Sequence, residues 1–170
     1  EDGRVTFRMK SAYAASVQVQ VARVKDGKVE LVEEPFGLWQ ATVGPLDPGI
    51  YEYTFYVDGT PQVDRRNRWV KKWYTLGNLF EIPGDPPLVT QLQDVPHGAV
   101  HHHVYRSKVT DSMRKVIVYT PPSYAAKPDA AYPVLFLLHG FGDDQTAWSE
   151  VGRVETVADN LIDLGKAQEM

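Results

Sequence analysis

Two glycines in a four-residue bend mark the stretch of this sequence that is best suited to chemistry. The bend is His139-Gly140-Phe141-Gly142, and it directly follows five consecutive large apolar residues, Val134 to Leu138. Glycines let the backbone turn sharply and expose its N–H groups. Such groups at the end of a central strand can hold the negative charge that develops on oxygen during acyl transfer. We therefore take the backbone N–H groups of Gly140 and Phe141 as the candidate oxyanion-binding site.

The elements around this bend follow from hydrophobic periodicity. Five apolar residues in a row cannot alternate between a wet and a dry face, so Val134 to Leu138 predicts a strand that is buried on both sides. After the bend, apolar residues recur at helical spacing at Val154, Val157, Ala158, Leu161 and Ile162. Gly165 stands where the C-terminal cap of that helix belongs. Strand, glycine bend and amphipathic helix together predict the opening of an α/β unit.

Side chains near the bend have structural alternatives to a catalytic role. We expect the His139 ring to orient the loop through hydrogen bonds rather than to act as a base. Trp148 could contact the acyl group of a substrate, or it could pack as a core residue ahead of the helix. Asp143 and Asp144 lack the rest of a ligand set, so turn formation or helix capping is expected there instead of a metal site.

Three consecutive histidines, His101 to His103, raise the question of a metal site. On a strand, His101 and His103 point to the same face, as two metal-ligating histidines would. No Asp, Glu or Cys lies nearby in the sequence to complete a ligand set. We therefore interpret them as surface histidines, and the sequence predicts neither a bound metal nor a cofactor.

The N-terminal half has a different pattern, with short alternating segments between turn signals from Arg4 to about Ile82. Six or seven short strands in about 80 residues favour an antiparallel β-sandwich. Trp39 alternates with Ala41 and Val43 and is expected to face the core. Asp58-Gly59 is expected to form a tight turn.

An aromatic cluster near the end of this half consists of Trp69, Trp73 and Tyr74. Flat aromatic rings stack on the apolar C–H faces of pyranose sugars, which makes these residues the candidate carbohydrate-binding site. The alternative is packing against the domain that follows. The sequence pattern favours neither interpretation over the other.

Composition excludes nucleic-acid binding, membrane spans and cysteine chemistry. The net charge of -4 and the pI near 5.7 provide no basic surface for nucleic acid. No apolar run approaches the roughly 18–20 residues that span a membrane. The chain has no cysteine, so disulfides and thiolate catalysis are excluded.

Residues 97–170 resemble the start of the carbohydrate esterase family that contains feruloyl esterases, acetylxylan esterases and esterase D. The resemblance rests on Pro96-His-Gly-Ala-Val100, Val118-Tyr-Thr-Pro-Pro-Ser-Tyr124, Tyr132-Pro-Val-Leu-Phe-Leu-Leu-His-Gly-Phe-Gly142, Trp148 and Asn160-Leu-Ile162. It implies the first part of an α/β-hydrolase domain that cleaves esters by Ser-His-Asp chemistry. The backbone near Phe141 would then supply one oxyanion donor, and Trp148 would contact the substrate.

Residues 1–85 resemble the immunoglobulin-like carbohydrate-binding module of the glycogen-branching-enzyme type. The matching stretches are Trp39, Gly44-Pro-Leu-Asp-Pro-Gly-Ile-Tyr51, Val57-Asp-Gly59 and Asp64-Arg-Arg-Asn67. With a linker at 86–96, the order of module and esterase resembles bacterial feruloyl esterases. That resemblance implies feruloylated or acetylated plant-wall xylan as the partner and a secreted or periplasmic location.

The nucleophile elbow G-x-S-x-G of that family is absent from these 170 residues, because no serine has a glycine two positions before it. We therefore expect this polypeptide alone to be inactive. We also expect the strand at 134–138 to need the remainder of the esterase domain, supplied as a second chain or as the rest of one polypeptide. Two alternatives stay open: a non-catalytic polysaccharide-binding protein and a siderophore esterase of the enterochelin type.

Overall fold

Alternating apolar residues place one face of the longer strands of the N-terminal unit against a shared core. The computed structural model describes residues 2–25, 27–72 and 76–170, and the chain divides into two units, Glu1–Pro86 and Pro87–Met170. The described strands of the first unit are β1 (Val5–Lys10), β2 (Val17–Val21), β3 (Lys28–Glu30), β4 (Val32–Glu34), β5 (Leu38–Val43), β6 (Gly49–Val57), β7 (Thr60–Gln62), β8 (Val70–Lys72) and β9 (Leu76–Ile82). A short 3₁₀ helix, Pro35–Gly37, separates β4 from β5.

These strands form two antiparallel sheets. The first sheet has the order β1-β5-β4, and the second has the order β3-β2-β6-β9-β8, with β7 paired to β6. Every described strand pair in both sheets is antiparallel. The predicted antiparallel sandwich is therefore confirmed for this unit.

The core of the sandwich lies between the two sheets. Phe7, Trp39 and Val43 come from the first sheet, whereas the second contributes Val17, Val19, Val21, Tyr51, Tyr53, Phe55 and Ile82. The Phe7 and Tyr53 rings meet with centroids 5.0 Å apart. Trp39 is 7% exposed, and its indole N–H donates to the Ser11 carbonyl at 2.9 Å, which confirms its predicted core position.

The predicted turn at Asp58-Gly59 joins β6 to β7. Both residues have positive φ, 49° and 78°, the conformation that a tight two-residue hairpin turn requires. The Asp58 carboxylate also accepts hydrogen bonds from the backbone N–H groups of Ala15 and Ser16, at 2.8 and 2.9 Å. This turn therefore anchors the start of β2 as well as closing its own hairpin.

The second unit contains less regular structure. Its described elements are β10 (Ala99–Ser107), β11 (Ser112–Thr120), a 3₁₀ helix (Tyr124–Ala126), a π-helix (Ala147–Val151) and α1 (Val154–Asp163). β10 and β11 form an antiparallel hairpin that joins no other described strand. The predicted helix and its glycine cap are confirmed, since Gly165 has φ 65° and donates to the Ile162 carbonyl at 2.9 Å. Among the described residues, no helix is both long and apolar enough to cross a bilayer.

The prediction of a buried strand at residues 134–138 is wrong for this structure. The segment has no ladder partner, and its five side chains are 39–86% exposed. The physical reason is that a strand is stabilised by neighbours along both edges and by elements packed on its faces. The described part of the second unit offers only the β10–β11 hairpin, whose strands pair with each other. The α/β sheet is therefore not formed by the described residues.

Candidate functional site

Trp69 lies directly before β8, at the end of a loop that a buried polar network holds in place. Its ring is half-buried. Its backbone N–H donates to the Asn67 side chain at 2.9 Å, and its carbonyl accepts from the Leu79 N–H at 2.8 Å. The other two members of the predicted sugar-binding cluster, Trp73 and Tyr74, lie outside the described residues.

The network beneath this loop centres on Asn78 of β9, which is fully buried. Its amide nitrogen donates to the carbonyls of Asp64 and Asn67, at 3.1 and 2.9 Å, and its oxygen accepts from the Asp64 N–H at 2.7 Å. A buried side chain with three backbone bonds fixes the loop more firmly than surface contacts would. The position of the Trp69 backbone is therefore set in advance of any ligand.

Tyr53 completes the network from the sandwich core. Its hydroxyl donates to an Asp64 carboxylate oxygen at 2.8 Å and accepts from the Asn67 amide at 3.2 Å. Burial raises the pKa of the Tyr53 phenol above its ordinary value, and the nearby Asp64 carboxylate raises it further. The phenol therefore stays neutral and acts as a donor at physiological pH.

The glycine bend has the local geometry that the sequence predicts. Gly142 has φ 83°, and the Asp143 N–H donates to the Gly140 carbonyl at 3.2 Å. The His139 Nδ1 lies 2.9 Å from the same carbonyl oxygen, consistent with a ring that orients the loop. Since the preceding segment belongs to no sheet, the oxyanion role of the Gly140 and Phe141 N–H groups stays a prediction.

Trp148 lies in the π-helix and connects it to the exposed segment before the bend. Its indole N–H donates to the Leu138 carbonyl at 2.9 Å, and 44% of the residue is exposed. Trp148 is therefore not a core residue here, and contact with a substrate stays a prediction. Just before the π-helix, the Asp144 carboxylate accepts from both the N–H and the hydroxyl of Thr146, at 2.8 and 2.6 Å, which confirms the predicted turn.

The buried carboxylate of the second unit is Asp159, which the sequence reasoning missed. It lies on α1 and is 4% exposed. Its oxygens accept from the Gly98 N–H at 2.9 Å and from the Tyr119 hydroxyl at 2.6 Å, and the His97 Nδ1 lies 2.9 Å away. Asp159 thereby joins the ends of β10 and β11 to α1.

A histidine paired with a buried carboxylate is the arrangement that orients a catalytic base. Here the four serines of the second unit bond elsewhere. Ser107 and Ser112 bond to Thr110, Ser123 bonds to Glu169 and Tyr132, and Ser149 donates to the Thr146 carbonyl. The pKa of Tyr119 is raised by burial and then by Asp159 itself, so the phenol stays a neutral donor. The cluster of His97, Tyr119 and Asp159 therefore acts as a structural latch, which we call the Asp159 latch.

Neighbouring residues on α1 are also held by polar contacts. The buried Asn160 amide donates to the carbonyls of Val89 and Gln91, both at 2.8 Å, so part of the segment predicted as a linker bonds to this helix. Burial raises the pKa of Glu155, and the proximity of Asp159 adds to the shift. The sequence carried no signal for these contacts, because Asp159 and Asn160 occupy positions between the apolar residues of α1, where polar side chains are expected at the surface.

Comparisons with known proteins support an esterase-like second unit. Residues 107–170 match the family model described as an esterase. Over 97% of this chain, the sequence is 31% identical to the endo-1,4-beta-xylanase/feruloyl esterase of Xylanibacter ruminicola. The chain spans 23% of the length of that relative. These two findings support an esterase-like hydrolase segment within the chain.

Solved structures that match the chain include two pullulanases. The type I pullulanase of Bacillus subtilis, solved with maltose, is 17% identical over 49% of this chain and 12% of its own, with a TM-score of 0.39. The pullulanase SAP of Group B Streptococcus is 18% identical over 50% of this chain and 14% of its own, with a TM-score of 0.37.

Proposed function

We propose that these 170 residues are part of a serine carboxylic-ester hydrolase that acts on feruloylated or acetylated plant-wall xylan. The observation that carries the proposal is the esterase match of residues 107–170, together with 31% identity to a xylanase/feruloyl esterase over nearly the whole chain. Because its polymeric substrate lies outside the cell, the proposal includes secretion or export to the periplasm.

In the proposed mechanism, the backbone N–H groups at Gly140 and Phe141 donate to the oxyanion of the tetrahedral intermediate. The Ser, Asp and His of the triad come from polypeptide other than these 170 residues, where no G-x-S-x-G elbow is found. The same polypeptide supplies the strands on either side of Val134–Leu138. Its pairing would cover an apolar segment that is now exposed.

The decisive experiment measures hydrolysis of methyl ferulate and of acetylated xylan by the full-length protein. Phe141→Pro removes one backbone donor and is expected to lower kcat about 10²–10³-fold. Phe141→Ala removes only an 82% exposed ring and keeps the N–H, so it serves as the matched control. Equal loss in both variants would reject the oxyanion role.

The substrate class is tested by comparing esters in the same assay. Hydrolysis of a cyclic catecholate triester in preference to the ferulate and acetyl esters would favour the siderophore alternative. The isolated 170-residue chain is expected to hydrolyse none of them, because it contains no activated serine. Turnover by that chain would overturn the assignment of the triad.

We propose further that the first unit binds the polysaccharide through Trp69, Trp73 and Tyr74. The support is the half-buried Trp69, whose backbone is fixed by the Asn78 network. In affinity electrophoresis, xylan or starch should retard the chain, and Trp73→Ala should reduce the retardation. Tyr13→Ala is the control, since Tyr13 is 99% exposed and lies outside the cluster. Unchanged mobility of Trp73→Ala would favour packing against the second unit.

A further inference from the structure

Two imidazole rings lie side by side on one face of β10. His101 and His103 are two residues apart on the strand, and their ring centroids are 6.1 Å apart with an interplanar angle of 25°. The strand repeat of roughly 6.5 Å for alternate residues keeps both side chains on the same face. Their directly opposite partners on β11 are Val118 and Val116, so neither ring lies directly opposite a charged residue.

The His101 ring also lies within hydrogen-bond distance of a hydroxyl on the neighbouring strand. Its Nε2 lies 3.1 Å from the Thr120 hydroxyl oxygen, and that hydroxyl donates to the Ala99 carbonyl at 3.5 Å. With the ring proton on Nε2, His101 donates to that hydroxyl oxygen, and its lone pair on Nδ1 is available to a metal ion. Metal-ligating histidines commonly donate their other ring N–H to such a partner, which fixes the ring and its tautomer.

We propose that His101 and His103 together chelate a divalent late transition-metal ion, with copper(II) bound most tightly. Imidazole suits copper, nickel and zinc, and affinity for a given nitrogen site rises from nickel to copper. The described residues hold no cluster of three or more His, Cys, Asp or Glu side chains, so the remaining coordination positions belong to water or an incoming ligand. The sequence favoured surface histidines because spacing alone did not reveal the stacked rings or the Thr120 bond.

The experiment is a calorimetric titration of tag-free full-length protein with copper(II) and with nickel(II). His101→Ala and His103→Ala should each weaken copper binding at least about tenfold, since loss of even an outer partner of a metal ligand costs roughly 10–100-fold. His102→Ala is the matched control, because this ring lies on the same strand but points to the opposite face, opposite Ile117. It should leave the affinity unchanged, and copper should bind more tightly than nickel.

Electron paramagnetic resonance of the copper-loaded protein provides a readout that is independent of affinity. Two nitrogen ligands are expected in the unaltered protein and in His102→Ala, and one in each of the other single variants. Circular dichroism checks that the variants keep the strand content of the parent. Equal affinity in all three variants, or a two-nitrogen signal that survives in His101→Ala/His103→Ala, would overturn the proposal.

Discussion

Each of the two units of this chain is stabilised internally by a different kind of interaction. In the first, apolar side chains from two sheets meet in one core, and its fully buried members include Val17, Val19 and Phe55. In the second, the buried residues are Pro121 and two polar residues, Asp159 and Asn160. Large apolar residues such as Phe136 and Leu138 are more than 80% exposed there.

This difference shows what each kind of contact requires from the chain. Apolar burial is non-directional, so a sandwich needs only two sheets with matching periodicity. The bonds of Asp159 and Asn160 are directional, so they can join a hairpin, a loop and a helix without a shared core. We therefore expect the first unit to be sensitive to lost volume and the second to lost hydrogen-bonding atoms.

The largest expected effect comes from Phe55→Ala in the sandwich core. Phe55 is 1% exposed, and removing its ring should lower the free energy of unfolding of the first unit by about 3–5 kcal/mol. Urea denaturation monitored by circular dichroism measures this loss. Tyr13→Ala, at a 99% exposed site, should stay within about 0.5 kcal/mol of the parent. Similar values for both variants would contradict the core assignment.

Next in size is Asp159→Asn, which keeps the shape of the side chain but removes its charge. An amide nitrogen cannot accept a hydrogen bond, so part of the set of hydrogen bonds with His97, Gly98 and Tyr119 is lost. Hydrogen bonds to charged groups contribute about 1.5–3 kcal/mol each. Amide hydrogen exchange at Gly98 and along β10 should speed up. Asp163→Asn, an exposed site on the same helix, should not change it; equal effects would argue against the Asp159 latch.

A pH titration compares the two units through their buried phenols, Tyr53 and Tyr119. Both have a raised pKa, caused first by burial, and each donates to a carboxylate. Their stabilising contribution is complete below the pKa of unfolded tyrosine, about 10, and falls as pH rises above it. Above about pH 10, the denaturation midpoint of the first unit should therefore fall less with rising pH in Tyr53→Phe than in the parent. The midpoint of the second unit should likewise fall less in Tyr119→Phe than in the parent. Tyr13→Phe should follow the parent, and parallel curves for all variants would refute this.

The smallest expected effect is a gain from Glu155→Gln. Burial raises the pKa of Glu155, and its Oε2 is buried without a hydrogen-bond partner among the described residues. Protonated Glu155 contributes to the free energy of unfolding. This contribution is complete below the pKa of glutamate in the unfolded chain, about 4.3, and is lost as pH rises through the pKa in the folded protein. Glu155→Gln should thus slow hydrogen exchange in α1 at neutral pH, with no difference near pH 4. Glu150→Gln, at an exposed site, is the control. Slower exchange in Glu155→Gln that persists near pH 4 would exclude the burial of a charged Glu155 as the cause.

Prediction from sequence succeeded where a contact is local. The alternating segments predicted strands such as β2 and β6, and Asp58-Gly59 predicted the turn after β6. The helical period predicted α1, and Gly165 predicted its end. Each of these signals depends on residues within one turn or one strand, where backbone geometry alone sets the pattern.

Prediction failed where a residue depends on partners far along the chain. The Asp159 carboxylate lies within hydrogen-bond distance of a histidine 62 residues away, and the Asn160 amide donates to a carbonyl 71 residues away. The helical spacing of the apolar residues in α1 did not predict either partner. Val134–Leu138 failed for the converse reason, since its composition reports a preference for burial but does not provide the strands that would cover it.

The sequence by itself determined the period of each strand and helix, the positions of the turns, and the lack of a G-x-S-x-G elbow in these residues. It did so because side-chain direction follows from local backbone geometry. Only the tertiary structure decided that Asp159 is buried, that Trp148 is half-exposed, and that His101 stacks on His103 beside Thr120. The burial of Asp159 in particular depends on which distant groups meet, because a buried polar atom must find a partner wherever the fold brings one.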